Sequence, residues 1–295
     1  MPRSFHLFRV KLADSRGLFD QELPEPGEAL WTAVFAAPTA LIRKTQEWAI
    51  GNVGGFGAKL PPTIQNFDLY FRIGRRTFRK TDVYNETDHS FIEVEQREAP
   101  YADAVLLLPE GVLAISPRPK LIVKPQTVAV YFAGIIEEWL NANNLRFGVT
   151  AGRIIDPSDL IRRIRQAEYI ERFRFTFSPK NPFDASDFVV PLKEFLGEVK
   201  GRNGEVIVRG DSMDKADLEK LAREAAATAE KASATLKSPD NSRAATYSLG
   251  ENVASVATEA VDLSETSPDL IEIARLVRER YNGIRRASGI QNEQG

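Results

Sequence analysis

The chain has no cysteine and only two histidines and two methionines among its 295 residues. The missing thiols exclude disulfides, cysteine-ligated zinc, iron–sulfur clusters and a cysteine nucleophile. Two histidines, without a G-x-S-x-G turn to present a serine, argue against a Ser-His-Asp triad. No stretch approaches the ~18 consecutive apolar residues of a membrane span. Met1-Pro2-Arg3-Ser4-Phe5-His6 runs straight into strand-like alternation, with no secretory leader pattern. The expectation is a cytoplasmic protein with no membrane partner. Charge of one sign is also missing: 39 Lys and Arg stand against 41 Asp and Glu, a formal net charge of −2. Any affinity for polyanions must therefore come from local patches.

What is present begins with Arg172-Phe173-Arg174-Phe175-Thr176-Phe177. Side chains alternate across a strand, so the phenylalanines share one face and Arg172, Arg174 and Thr176 the other. An arginine-rich helix, about 158–168, with Asp156-Pro157-Ser158 as its start signal, leads into this strand. Further strands are expected over 5–12, through most of 66–115 (with a hairpin about Pro109-Glu110-Gly111) and at 145–150. Others are expected at 205–209, 232–236, 244–249 and 253–261, the last at a sheet edge. Helices are expected over 29–50, broken or kinked at Pro38, and over 125–142, 187–196 and 214–231. A final helix should run from Ser267-Pro268 to about 286, with a frayed tail from about 287. Gly51-Asn52-Val53-Gly54-Gly55-Phe56-Gly57 reads as a flexible loop. This mixture predicts an α+β fold of two halves, each a largely antiparallel sheet packed by helices. The boundary is placed near Gly152, giving a strand-rich domain over 1–152 and an α+β domain over 153–295.

Cations cluster. Arg72, Arg75, Arg76, Arg79 and Lys80 fall within nine residues without an acid, beside Tyr70, Phe71, Phe78 and Tyr84. Arg118, Lys120 and Lys124 follow a strand. Arg162, Arg163, Arg165, Arg172, Arg174 and Lys180 form a second group, and Arg275, Arg278, Arg280, Arg285 and Arg286 a third. Arginine grips phosphate bidentately and aromatics stack on bases, so these groups are candidate contacts to DNA or RNA. The competing reading is that they are solvated faces balanced by acids such as Asp159, Glu168 and Glu171.

Other constellations are thinner. Asp184 and Asp187 ahead of Glu198-Val199-Lys200 resemble the Asp…Glu-x-Lys set of metal-dependent nucleases. In those enzymes two carboxylates hold Mg²⁺ and the lysine orients the attacking water. Here the set falls at a helix end, whereas the motif belongs on a central strand. Mg²⁺ is implied only by this alternative, and no other cofactor or metal is expected. His89 lies near Asp82, Glu86, Asp88, Glu93 and Glu95, but no ligand spacing matches a closed metal site. The glycines of 51–57 fit neither phosphate-binding fingerprint.

Several segments resemble an uncharacterised bacterial family associated with mobile elements and anti-phage defence neighbourhoods. They are Phe71-Arg72-Ile73-Gly74-Arg75, Glu98-Ala99-Pro100-Tyr101, Ala114-Ile115 with Pro119-Lys120-Leu121, Ile155-Asp156-Pro157, and Phe173 through Pro182. The resemblance spans about residues 65–285. It implies a role near nucleic acid and transfers no catalytic residue. Three readings follow: a non-catalytic component that contacts nucleic acid through arginines, a metal-dependent nuclease, and an interaction or oligomeric assembly subunit.

Overall fold

Thirteen strands and six α-helices make an α+β fold among the described residues, with both sheets antiparallel. The structure is a computed structural model that describes residues 3–14, 24–43, 46–56, 68–121, 123–179, 181, 189–210, 213–239, 243–259 and 263–286. The first half supplies β1 (Arg3–Asp14), α1 (Pro26–Phe35), β2 (Thr39–Arg43), β3 (Gln46–Phe56), β4 (Asp68–Asn85) and β5 (Ser90–Glu98). It continues with β6 (Tyr101–Leu107), β7 (Val112–Pro117), α2 (Pro125–Ala142) and β8 (Phe147–Arg153). Next come α3 (Ser158–Gln166), β9 (Tyr169–Phe177), α4 (Val190–Glu198), β10 (Gly204–Arg209) and α5 (Lys215–Ala227). The chain closes with β11 (Ala232–Lys237), β12 (Ala245–Ser248), β13 (Ser255–Thr258) and α6 (Asp269–Arg285). No helix among the described residues is long and apolar enough to cross a membrane.

The larger sheet has the order β13-β1-β7-β6-β4-β3-β2, with β5 extending from β4 and β8 pairing with β1. Strand alternation gives it two apolar faces. Phe8, Val10, Leu69, Phe71, Ile73, Ala104, Leu106 and Ile115 pack against α1 and α2. Phe5, Leu7, Tyr70, Val105, Leu107, Val112 and Ala114 pack against α6. The smaller sheet, β10-β9-β11-β12, buries Phe173, Phe175 and Phe177 against α3, α4 and α5. The phenylalanine rings stand 6.4 Å and 6.2 Å apart along β9.

Two expectations over 29–57 are corrected. The helix ends at Phe35, not near residue 50, because Ala37 turns left-handed (φ 46°) and Pro38 cannot continue it. The chain then forms the β2–β3 hairpin, so Trp48 is buried from a strand. The glycine-rich segment up to Phe56 is strand as well. A side chain at Gly54 would place its Cβ 2.6 Å from that of Glu265, so glycine lets the segment before α6 lie directly on β3. The helix expected over 187–196 is α4, shifted to 190–198. The tail from 287 lies outside the described residues.

The sheets do not divide the chain at residue 152. β13 pairs with β1 in the larger sheet, and α6 covers that sheet's second face. α5 joins the layers: Leu218, Leu221 and Ala222 face the phenylalanines, whereas Ala226 and Ala227 reach the α6 core. Arg223 of α5 donates from Nη1 to the carbonyls of Gly283 and Ile284, 3.2 Å from each, at the C-terminal end of α6. A cation there also meets the negative end of the helix dipole.

A polar seam holds α6 on its sheet. Arg278 donates to both oxygens of Asp68 (2.6 and 2.8 Å) and to Glu110 (2.9 Å). Arg9, buried in β1, donates to the Glu110 carbonyl and to the Tyr281 hydroxyl (3.0 Å). Burial pushes the Asp68 carboxyl up to about 6, with Glu110 adding to the rise, against the pull of Arg278.

Two outcomes follow from these layers. Phe175→Asp places an unpaired carboxylate in the smaller core and is expected to destabilise the protein by more than ~3 kcal/mol. Soluble Phe175→Asp protein with an unchanged denaturation midpoint would contradict the packing. Asp68 binds its proton near pH 6 when folded and near 3.8 in its ordinary environment. Between those values the folded chain holds more protons, so ionising Asp68 costs stability as pH rises. The stability of the wild type relative to Asp68→Asn is therefore expected to grow by roughly 2–3 kcal/mol from about pH 7 to about pH 4.5. Paired urea titrations measure this difference, and a pH-independent gap contradicts it.

Candidate nucleic-acid interface

Among the described residues, helices cover one face of the smaller sheet. The β9 alternation that buries the phenylalanines sends Arg172, Arg174 and Thr176 the other way. Register sets Arg209 of β10 beside Arg172, with Thr235 of β11 and Thr246 of β12 continuing the row. The next row is Ile207, Arg174, Ser233 and Ser248. All eight side chains are exposed or half-buried. Arg172 Nη2 donates to the Thr235 hydroxyl at 3.3 Å, and Arg174 pairs with Glu205. Among the described residues, no carboxylate pairs with Arg172 or Arg209.

At one end this face opens into a cleft of about 510 Å³ where the two sheets meet. Arg153 from the end of β8 lines it, with Arg174, Lys231, Ser233, Glu230 and Glu251. Glu230 is already engaged: it accepts from Lys11 Nζ (2.5 Å), Ser178 Oγ (2.6 Å) and Thr176 Oγ1 (3.1 Å). Arg153 and Lys231 have no carboxylate partner among the described residues and outnumber Glu251, which has no cation partner there, so the cleft keeps an excess of positive charge. Gly152 makes the junction possible. A Cβ there would stand 2.5 Å from that of Ala229, in the turn after α5.

The other expected cations fall elsewhere. α3 packs on the phenylalanine face, so Arg162 and Arg163 lie across the sheet from Arg172 and Arg174. Both pair with Asp159, and their hydrogen bonds, Arg163 first, hold its carboxyl below the usual range. Arg163 also lies over the Tyr247 ring, 4.2 Å from its centroid. Arg165 makes a two-pronged pair with Glu219. Along β4, Arg76 pairs with Glu47, Lys80 with Glu93, and Arg75 is half-buried. Arg275 pairs with Glu272 and Glu279, Arg278 with Asp68 and Glu110, and Arg280 with Asp156. Lys180, Asp184, Asp187 and the Arg79 side chain lie outside the described residues. Glu198 ends α4 and Lys200 follows in a left-handed turn (φ 53°), both exposed. No group of three or more His, Asp or Glu side chains with metal-binding geometry occurs among the described residues.

Arg72 belongs to a cluster that sequence spacing did not assemble. Asp103 of β6 is fully buried and receives Arg3 at 2.9 Å, Arg118 at 3.1 Å and Arg72 at 3.5 Å. Tyr70 donates its hydroxyl to Asp103 at 2.7 Å, and burial followed by that carboxylate pushes the phenol up. Tyr101 lies under both Arg72 and Arg118, 4.6 and 4.8 Å from its ring centroid. Arg72 also donates to the Leu263 carbonyl at 2.6 Å, tying β4 to the segment before α6. A single acid within the apolar run Tyr101-Ala102-Asp103-Ala104-Val105 was the available signal for a buried charge.

One carboxylate thus faces three guanidinium groups. Asp103→Asn leaves those cations facing one another and is expected to destabilise the fold by about 3 kcal/mol. Added sulfate should raise the melting temperature of the variant more than that of the wild type, because an anion replaces the lost charge. Equal sulfate responses would show that the arginines do not depend on Asp103. No protein-family model matches the chain, and comparison with curated proteins returns no match.

Proposed function

We propose that this protein is a non-catalytic module that binds the phosphate backbone of nucleic acid on the uncovered face of its smaller sheet. The observation that carries the reading is the gathering of Arg172, Arg174 and Arg209 on a face without helices, continuous with a cleft bearing Arg153 and Lys231. Guanidinium groups on an extended face fit phosphates spaced along a strand, and the Ser and Thr hydroxyls beside them add neutral donors. No base-stacking aromatic accompanies Arg172 and Arg174 in their two rows, so contact through phosphate with little sequence preference fits best. The net charge of −2 leaves attraction to local patches such as this face. The resemblance of the sequence to a defence-associated bacterial family suggests the setting, an anti-phage or mobile-element system.

Fluorescence anisotropy with labelled single-stranded DNA, duplex DNA and RNA, run as a salt series, tests the reading. Affinity is expected to fall with salt, the log–log slope losing ~0.7–0.9 for each phosphate contact removed. Arg172→Glu with Arg209→Glu should weaken binding at least about tenfold. Arg162→Glu with Arg163→Glu, across the sheet, should leave it unchanged. Absence of affinity for all three probes at low salt, or equal losses from both variant pairs, overturns the assignment.

A further inference from the structure

β4 outruns its sheet. β3 pairs with it only as far as Glu47↔Arg76, and β6 only as far as Tyr101↔Gly74. From Thr77 to Asn85 the strand has one partner, β5, and its other edge is unpaired among the described residues. The result is a projecting two-stranded ribbon of nine residue pairs. It is exposed and apolar on both faces. Phe78, Tyr84 and Phe91 are 60%, 47% and 78% exposed on one face, while Val83, Ile92 and Val94 are exposed on the other. An isolated ribbon is marginally stable in water, and a free edge with apolar flanks is a template for another strand.

We propose that the free edge of β4 pairs antiparallel with the same edge of a second copy of this chain, about a two-fold axis at Thr81. The sequence of the edge complements itself in that register. Phe78 falls opposite the second copy's Tyr84, Lys80 opposite its Asp82, and Thr77 opposite its Asn85. Each pair occurs twice, and aromatic and opposite-charge pairs directly across two strands are the favourable ones. The ribbon alone leaves a charge problem that this pairing resolves. Asp82 stands opposite Glu93, and Lys80 opposite Glu95, yet Lys80 already binds Glu93 at 2.5 Å. The second copy's Lys80 supplies the cation beside Asp82. The Tyr84–Phe91 ring contact, 5.2 Å between centroids, is then extended by the second copy's Phe78.

The other free edge does not complement itself in the corresponding central register. Two β5 strands paired about Val94 would set Glu93 against Glu95 on both sides of the axis. The β2–β3 hairpin also limits the register, because β3 occupies the β4 edge up to Arg76. Each copy therefore offers the same nine-residue edge, Thr77–Asn85.

Lys80→Asp and Asp82→Lys each set like charges opposite one another at two symmetric places. Each alone is expected to weaken self-association at least about tenfold. The double swap, Lys80→Asp with Asp82→Lys, restores opposite charges and should restore the dimer. An equimolar mixture of the two single variants should form a mixed dimer. Sedimentation velocity over a concentration series reads all five samples, the wild type included. A wild type that stays monomeric, or a double swap and a mixture that both stay monomeric, overturns the proposal. A second readout exploits the cysteine-free sequence. Thr81→Cys at the axis should oxidise to a disulfide-linked dimer, since opposed residues in antiparallel strands lie within disulfide reach. Val94→Cys on the outer edge should not. Equal crosslinking at both positions, or none at Thr81→Cys, counts against the pairing.

Discussion

Every strand presents two faces, and apolar surface on either must be covered. Among the described residues, six α-helices meet that demand unevenly across two sheets and a projecting ribbon. The larger sheet takes α1 and α2 on one face and α6 on the other, so its strands are apolar on both sides: β6 and β7 are buried almost throughout. The smaller sheet takes α3, α4 and α5 on one face, and its strands alternate accordingly. The ribbon beyond Arg76 takes no helix among the described residues, and its aromatics are exposed. The open arginine face and the free β4 edge are two consequences of this distribution. At roughly 25 cal/mol per Å² of apolar area, covering a face dominates the local energetics, and the polar pattern follows from which faces remain.

The buried charges on the covered faces of the larger sheet come as connected sets, while an isolated polar atom such as Trp48 Nε1 is buried there without a hydrogen-bond partner among the described residues. Arg9, Asp68, Glu110, Arg278 and Tyr281 form one chain of contacts beneath α6, and Asp103 gathers three arginines at the end of β6. Buried ion pairs are weak sources of net stability, because desolvation offsets their attraction. Asp68 illustrates this, since burial outweighs its arginine partner and leaves its proton affinity high. Their consequence is geometric. Arg278 fits over Asp68 and Glu110 in one position of α6, and Arg72 reaches the Leu263 carbonyl in one position of the preceding segment. A purely apolar face would let the helix slide.

The elements legible in the sequence carried a period and a stop signal together. α2 begins at Pro125 and ends before Asn143 as its apolar stripe indicates, and β9 is visible from its phenylalanines alone. Asp214 caps α5 by accepting from the amides of Ala216 and Asp217. Residues 39–56 failed because their content of helix formers and glycine opposes a strand, and pairing with β4 overrides that preference. The candidate interface was half legible. Alternation separated Arg172 and Arg174 from the phenylalanines, but proximity of Arg162 and Arg163 in sequence suggested one basic unit. α3 lies on the phenylalanine side, so the sheet separates them. Arg209 and Arg153 reach the open face and its cleft through strand register and the meeting of two sheets, neither of which sequence spacing encodes.

The two uncovered surfaces differ in chemistry, and that difference bears on how they act together. The open face of the smaller sheet is rich in arginine and hydroxyl groups, whereas the free edge of β4 is aromatic and charge-balanced. The polyanion proposed as ligand fits the first by charge, and its phosphates would gain little from Asp82 and the acids of β5 beside the second. A strand from another protein chain matches the second, where backbone pairing and aromatic contact both contribute. The two surfaces lie on different sheets. A dimer built through β4 would present two arginine faces related by the same two-fold axis. A nucleic acid long enough to reach both would then be held through an effective local concentration rather than through the modest affinity of one face. A balanced net charge would suit the proposed arrangement, because weak binding at each face would become tight only on a ligand that spans the dimer.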